Sequence, residues 1–174
     1  MTAIPLALGR RSPAASAPPA DGALVDTHGR VHRDLRISLT DRCSLRCSYC
    51  MPEQGNQWLA RTSILSVAEI TAVARVAASI GISTFRLTGG EPLLRPDIVE
   101  VVAALAALRG PDGPVEVAMT TNGIALPGLL EELLAAGLRR LNISIDTLRR
   151  DRFTALTRRD RLAEGRRGIA AAAR

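Results

Sequence analysis

From residue 35 onward, the hydrophobic pattern of the chain alternates between two periods. Residues 35–39 alternate apolar and polar side chains, which is typical of a short strand. After Ser66, apolar residues recur at the three- and four-residue spacing of a helix, and Glu69 completes a capping box with Ser66. The same alternation then repeats along the chain. Strand and helix in regular succession predict parallel strands joined by right-handed crossovers.

Four such units are predicted. The later strands are predicted over 83–87, 115–119 and 140–145, and the later helices over 96–110, over 127–136 and from about 149 onward, with a break near Gly165. Each strand ends in a polar cluster, on the face where a (β/α) barrel builds its site. Four units cannot close a barrel. The predicted fold class is therefore α/β, the N-terminal part of a (β/α) TIM-type partial barrel, and the chain is expected to be part of something longer or a degenerate copy of it.

Composition narrows the class of protein. The 174 residues are 47% hydrophobic and 23% charged, which suffices for a sizeable core. Residues 1–22 are rich in Ala, Pro and Ser, so we predict a disordered leader there and a core domain over 23–174. No apolar run approaches the roughly 20 residues that span a bilayer. We predict no membrane partner.

The charge is uneven. The formal net charge is +6, every basic residue except the neutral histidines is Arg, and eleven of the 23 Arg fall after Leu138. A basic segment can bind nucleic acid, but an aromatic content of 2% offers little for base stacking. We interpret the segment as a solvated helix surface and predict no nucleic-acid partner.

Three cysteines carry the strongest chemical signal. Cys43, Cys47 and Cys50 form a C-x3-C-x2-C pattern on the loop after the first strand. An odd, clustered set without a secretory signal is typical of a reducing cytoplasm and of metal binding. Three thiolates can hold a [4Fe–4S] cluster and leave one iron without a protein ligand. The alternatives are a zinc site with His28 or His32 as fourth ligand, or three unrelated thiols.

Two further patterns suggest ligands. In residues 88–92 (TGGEP), Gly89 and Gly90 let a backbone approach a ligand closely, and their carbonyls with the Glu91 carboxylate could accept hydrogen bonds from an ammonium group. The alternative is a tight turn with a surface Glu. Arg36 and Arg86 lie inside neighbouring predicted strands. Two such charges favour a barrel lumen that binds an anion such as phosphate.

Taken in order on these elements, the motifs resemble the radical S-adenosylmethionine (SAM) superfamily. Five segments resemble more narrowly its GTP 3′,8-cyclase family of molybdenum cofactor (molybdopterin) biosynthesis: 34–43 (DLRISLTDRC), 49–52 (YCMP), 86–95 (RLTGGEPLLR), 120–123 (TTNG) and 141–148 (LNISIDTL). The resemblance extends from about Val25 to the end of the chain.

The resemblance implies a set of roles. Cys43, Cys47 and Cys50 would bind a [4Fe–4S] cluster whose open iron binds the amino and carboxylate groups of SAM. Tyr49, Gly90 and Ser144 match positions that contact this cofactor. Arg36, Arg86 and Thr120 match positions that contact GTP. The implied activity converts GTP to (8S)-3′,8-cyclo-7,8-dihydroguanosine 5′-triphosphate by radical chemistry, and the implied partners are a reducing electron donor and the next enzyme of the molybdopterin pathway.

The chain also departs from that family. The family has a second, C-terminal [4Fe–4S] cluster held by three more Cys, and this chain has no Cys after Cys50. We therefore expect a radical SAM core truncated at its C-terminus and inactive as it stands. The alternatives are another radical SAM enzyme that modifies a peptide or small molecule, and a non-catalytic fragment that binds an iron–sulfur cluster or zinc.

Overall fold

A parallel sheet organises the computed structural model, which describes residues 23–173; the predicted leader lies outside these residues. Within them the sheet has four strands, which are β1 (Asp34–Ser38), β2 (Thr84–Thr88), β5 (Glu116–Thr121) and β6 (Leu138–Ile143). They are ordered β1-β2-β5-β6. A small separate hairpin is formed by β3 (Arg109–Gly110) and β4 (Gly113–Pro114). All three pairings in the large sheet are parallel. The sheet does not close, which agrees with the predicted partial barrel.

Helices follow each strand of the large sheet. They are α1 (Val67–Ser79), α2 (Ile98–Ala106), α3 (Leu130–Ala135), α4 (Arg150–Thr157) and α5 (Leu162–Ala172). The predicted capping box of α1 is present, since the Ser66 hydroxyl accepts from the Glu69 amide and the Glu69 carboxylate accepts from the Ser66 amide. Gly81 ends this unit with a φ of 96°, a conformation that favours glycine.

The two faces of the sheet differ in chemistry. One face carries alternate apolar residues that pack with α1, α2 and α3 in the main core: Leu35, Ile37, Phe85, Leu87, Val117, Met119, Leu141 and Ile143. The other face carries polar residues, most of them exposed or half-buried: Asp34, Arg36, Ser38, Thr84, Arg86, Thr88, Glu116, Thr120, Arg140 and Asn142. Since side chains alternate along each strand, the core fixes which residues occupy the polar face.

The end of the chain corrects one prediction. The helical stretch breaks at residues 158–161, with Arg158 at a φ of 52°, and the predicted break near Gly165 is wrong. Gly165 lies inside α5. A Cβ on Gly168 would lie 2.1 Å from the Gly123 carbonyl oxygen, and one on Gly165 would lie 3.2 Å from Ile145. These glycines therefore let α5 pack closely rather than end it.

One helical stretch is long and apolar enough to cross a membrane by composition alone. It is Arg61–Ser79, with 19 residues and a mean hydropathy of 1.3. Its continuous α-helix is α1, whose 13 residues extend only about 20 Å. Ile70, Ala74 and Ala78 of this helix are buried in the core. These three residues place one face of α1 against the core.

Candidate active site

Four loops meet at the carboxyl edge of the parallel sheet. Residues 40–51, here called the cysteine loop, follow β1, and residues 89–91 follow β2. Residues 122–123 follow β5, and residues 144–146 follow β6. Because parallel strands end at the same edge, the motifs singled out in the sequence are gathered in one place.

The paired glycines hold the start of the cysteine loop. The Gly90 amide donates to the Thr40 carbonyl at 2.6 Å, and the Glu91 amide donates to the Arg42 carbonyl at 2.7 Å. A Cβ on Gly90 would lie 2.2 Å from the Arg42 carbonyl oxygen, and one on Gly89 would lie 2.5 Å from the Thr40 carbonyl oxygen. The sequence predicts that a ligand approaches these glycines closely. In the structure, the backbone of residues 40–42 occupies that position on one side of them.

Glu91 is a buried hydrogen-bond acceptor rather than a surface residue. Its side chain accepts from the Thr121 hydroxyl at 2.6 Å, the Asn122 amide at 2.8 Å and the Leu93 amide at 3.1 Å. Burial raises the pKa of Glu91 above its ordinary value, and these three donors oppose the rise. The alternative of a surface Glu is wrong, since the residue is 2% exposed. Direct contact between Glu91 and a cofactor stays a prediction.

The donor set of the cysteine loop fits an iron–sulfur cluster. Cys43 and Cys47 are half-buried, and Cys50 is exposed. Burial raises the pKa of Cys43 and of Cys47, and repulsion from Glu91 and from the other two thiols adds to the rise at Cys43. Thiolates that repel one another in this way are stabilised by a shared cation. Within residues 23–173 no three His, Cys, Asp or Glu residues are grouped closely enough to hold a metal ion, so the fit rests on the chemistry of three thiols carried by one loop.

The structure does not support the alternative of a zinc site with a histidine as fourth ligand. His28 and His32 precede β1, whereas the cysteine loop follows it. Five residues of strand separate the two ends by about 16 Å. The ring of His32 lies 3.8 Å from the Asp26 carboxylate instead. Neither histidine is placed to complete a site with the three thiols.

Tyr49 connects the cysteine loop to the end of β6. Its hydroxyl donates to the Asp146 carboxylate at 2.7 Å, and its side chain is 69% exposed. This hydrogen bond raises the pKa of Tyr49 well above its ordinary value. Ser144, two residues before Asp146, donates its amide to the Thr121 carbonyl at 2.8 Å. These two hydrogen bonds connect the loop after β6 to the cysteine loop and to the end of β5.

The predicted GTP residues share the polar face of the sheet. Arg36 and Arg86 are register partners on adjacent strands. An Arg86 guanidinium nitrogen lies 3.7 Å from the Asp34 carboxylate, and this side chain is 29% exposed. Thr120 lies on the same face of β5, two residues beyond Ala118, the register partner of Arg86. The structure thus brings two positive charges and a hydroxyl to one face, and their contact with GTP stays a prediction.

Sequence analysis missed two arginines that support the cysteine loop. Arg95 is 8% exposed and donates to the Leu39 carbonyl at 3.2 Å and the Leu65 carbonyl at 2.9 Å, while its ion pair with Asp97 measures 2.7 Å. Arg158 donates to carbonyls of the loop itself. Arg95 stands within the RLTGGEPLLR segment, which could have signalled it. No local pattern distinguishes Arg158 from its arginine neighbours.

Fold and site together define an α/β protein with an open parallel sheet and a three-cysteine cofactor loop at its carboxyl edge. Residues 37–174 match the family described as the Radical SAM superfamily. The match covers most of the chain, and the chain belongs to the radical SAM superfamily. Members of this superfamily use a [4Fe–4S] cluster and SAM.

Curated relatives confirm the narrower resemblance. The chain is 53% identical over 150 residues to the GTP 3′,8-cyclase of Streptomyces coelicolor, covering 86% of this chain and 43% of the relative. It is 51% identical over 150 residues to the GTP 3′,8-cyclase of Corynebacterium glutamicum, covering 84% and 40%. It is 50% identical over 165 residues to that of Mycolicibacterium smegmatis, covering 94% and 45%. The chain spans less than half the length of these relatives.

Solved structures share the fold. Streptococcus suis SuiB bound to S-adenosylmethionine superposes with a TM-score of 0.62 at 22% identity, over 80% of this chain and 32% of that one. BtrN in complex with AdoMet and 2-DOIA gives a TM-score of 0.53 at 18% identity, over 66% and 46%. At these identities the likeness shows the fold alone, and the fold agrees with the predicted partial barrel.

Proposed function

We propose that this chain is the part of a GTP 3′,8-cyclase that binds the [4Fe–4S] cluster and SAM. The observation that carries the proposal is the junction of two motifs at the carboxyl edge. There the backbone of residues 89–91 is hydrogen-bonded to the root of the cysteine loop at 2.6 and 2.7 Å. The identity of about half of the aligned residues to curated GTP 3′,8-cyclases supports GTP as the substrate.

Each residue of the site has a proposed task. Cys43, Cys47 and Cys50 would hold three irons of the cluster and leave one iron for SAM. When bound, the cluster and SAM would supply the one-electron radical chemistry that the conversion of GTP requires, with the electron coming from the reducing donor. Tyr49 and the backbone at Gly90 orient SAM, with Ser144, Gly89 and Glu91 completing that side of the site.

We propose that GTP binds to the polar face of the sheet. Guanidinium groups bind phosphate oxygens in paired hydrogen bonds, and Arg36 and Arg86 present two such groups in adjacent register. Arg86 would exchange its contact with Asp34 for a phosphate. Thr120 adds a hydroxyl nearer the carboxyl edge. The partners proposed for the complete activity are a reducing electron donor and the next molybdopterin enzyme, in the cytoplasm.

Anaerobic reconstitution of the full chain with iron and sulfide tests the cluster site. We expect iron and sulfide uptake with a broad visible absorbance, and loss of both in Cys43→Ala. Ser48→Ala is the matched control, because it changes the same loop without removing a thiol. Uptake of zinc with no uptake of iron contradicts the proposal and favours a zinc-binding fragment.

Substrate identity needs a separate measurement. Dithionite is added to the loaded chain with SAM, and 5′-deoxyadenosine is quantified with and without GTP. Release that rises with GTP supports the cyclase, and Arg86→Ala is expected to remove the GTP dependence while SAM-only release continues. Release of 5′-deoxyadenosine that does not depend on GTP favours another radical SAM enzyme. A cluster that leaves SAM intact favours a module that binds the cluster without using it.

A further inference from the structure

Helix α4 ends against the cysteine loop. The Arg46 amide donates to the Thr157 carbonyl at 2.9 Å, and the Ser48 amide donates to the Leu156 carbonyl at 2.8 Å. Both carbonyls belong to the last turn of α4, where carbonyl groups have no partner within the helix. The helix end and the loop between the first and third cysteines therefore satisfy each other's backbone groups.

Arg158 extends this contact with its side chain. One guanidinium nitrogen, Nη1, donates to the Arg46 carbonyl at 3.3 Å and to the Met51 carbonyl at 3.1 Å. Arg46 directly precedes Cys47, and Met51 directly follows Cys50. A single side chain thus ties both ends of the stretch that carries the second and third cysteines.

The backbone of Arg158 is held in an unusual conformation. Its φ of 52° is the single positive φ of a non-glycine residue within 23–173. Glycine is the usual residue at such a helix end, because a Cβ is unfavourable there. An arginine in this position keeps a guanidinium on the loop at the cost of backbone strain.

An apolar contact supports the same junction. Leu45 of the cysteine loop, Phe153 of α4 and Leu162 of α5 form a small buried cluster. Cys43 and Cys47 pack against it. The first two cysteines are therefore positioned by the helices that Arg158 connects.

We propose that Arg158 is a positioning residue for the cluster site: it sets the spacing of Cys47 and Cys50 through the backbone carbonyls of Arg46 and Met51. It acts on the loop and not on the cofactor. The inference deepens the proposed function and rests on it for the meaning of the loop, but the order of the loop itself can be measured without any metal.

Three variants of the full chain separate the effect of the Arg158 guanidinium group from the effect of the backbone conformation at the end of α4. Arg158→Gly removes the side chain and suits the left-handed backbone, so its melting temperature is expected to equal or exceed that of the wild type. Arg158→Lys keeps a cation whose three donors can reach two carbonyls. Arg152→Ala is the matched control, because it removes one exposed arginine from α4.

The metal-free chain gives the first readout. Hydrogen exchange is followed over residues 43–51, and alkylation of Cys47 is followed with N-ethylmaleimide under reducing conditions. In Arg158→Gly we expect exchange and alkylation several-fold faster than in the wild type, partial restoration in Arg158→Lys, and no change in Arg152→Ala. Wild-type rates in Arg158→Gly overturn the inference.

The reconstituted chain gives the second readout. The electron paramagnetic resonance spectrum of the reduced cluster is recorded with and without SAM, and we expect broadened signals in Arg158→Gly that narrow in Arg158→Lys. Spectra identical to the wild type in both variants contradict the inference. A wild-type chain that takes up no cluster contradicts the proposed function instead, and the metal-free comparison then decides the role of Arg158.

Discussion

The hydroxyl of Thr121 donates a 2.6 Å hydrogen bond to the carboxylate of Glu91, across 30 residues of sequence. Both residues are 2% exposed. The same hydroxyl accepts from the Gly123 amide at 3.0 Å, and the Asn122 amide donates to the other Glu91 oxygen at 2.8 Å. The loop after β2 and the loop after β5 are thus one hydrogen-bonded unit beneath the cysteine loop.

Thr121→Val is expected to lower the free energy of unfolding by about 2 kcal/mol, because a hydrogen bond to a buried charged group is lost while the shape is kept. The same change is expected to raise the pKa of Glu91 further, since a donor to the carboxylate is removed. Urea unfolding measures the loss. Thr120→Val, on the polar face, is the control, and an equal loss there would contradict the assignment.

Glu91 is expected to make stability depend on pH. Its folded-state pKa lies above the ordinary value of 4.5, mainly because of burial. Between these two values the folded state binds more protons than the unfolded state, so the contribution of Glu91 is present below pH 4.5 and is lost as pH rises through the folded-state pKa. Unfolding of wild type and Glu91→Gln is compared across this range. A difference that grows in the opposite direction would rule out the raised pKa.

Gly90→Ala is expected to cost at least about 2 kcal/mol and to prevent cluster uptake, because the added Cβ meets backbone that cannot move aside. It would lie 2.2 Å from the Arg42 carbonyl oxygen and 2.7 Å from that of Asp41. Gly128→Ala is the matched control, since its Cβ would meet nothing within 4 Å. Thermal unfolding and iron content are measured for both. If the two variants had similar melting temperatures and similar iron contents, the close backbone contact at Gly90 would not be needed for stability or for cluster uptake.

Tyr49 provides a spectroscopic test of the Asp146 contact, because the chain has one tyrosine. The hydrogen bond to Asp146 raises its pKa above the ordinary value of 10.0. Alkaline titration of phenolate absorbance is therefore expected to have a high midpoint that Asp146→Asn lowers towards the ordinary value. Asp151→Asn, which changes an exposed carboxylate paired with Arg149, is the control. An ordinary midpoint in the wild type would mean that the two side chains are not in contact in solution.

Arg95→Met is expected to lower the free energy of unfolding by about 3 kcal/mol. The methionine keeps much of the apolar volume, but the Leu39 and Leu65 carbonyls lose a charged donor and Asp97 loses its partner. Arg109→Met, at an exposed arginine of β3, is the control. Chemical unfolding of both variants measures the effect. A loss no larger than that of the control would show that Arg95 does not brace the root of the cysteine loop.

Much of the fold follows from local pattern. The alternation of strand and helix from residue 35 predicts the four parallel strands, and the capping box at Ser66 predicts where α1 begins. These features depend on neighbours within one or two turns of chain, which the sequence presents directly. Helix ends were less predictable: the predicted helix over 96–110 is α2, Ile98–Ala106, because the chain turns into the β3–β4 hairpin.

The sequence by itself determined the chemistry of the site: three closely spaced thiols after one strand and a glycine pair after the next, which the order of parallel strands brings to one edge. Only the tertiary structure decided what holds that site together. Glu91 is buried between two loops 30 residues apart, and Arg158 reaches Met51 across 107 residues. Such contacts depend on the long-range packing of α4 and α5 against the edge of the sheet. The local hydrophobic periodicity of a sequence does not predict which distant backbone groups a side chain will contact.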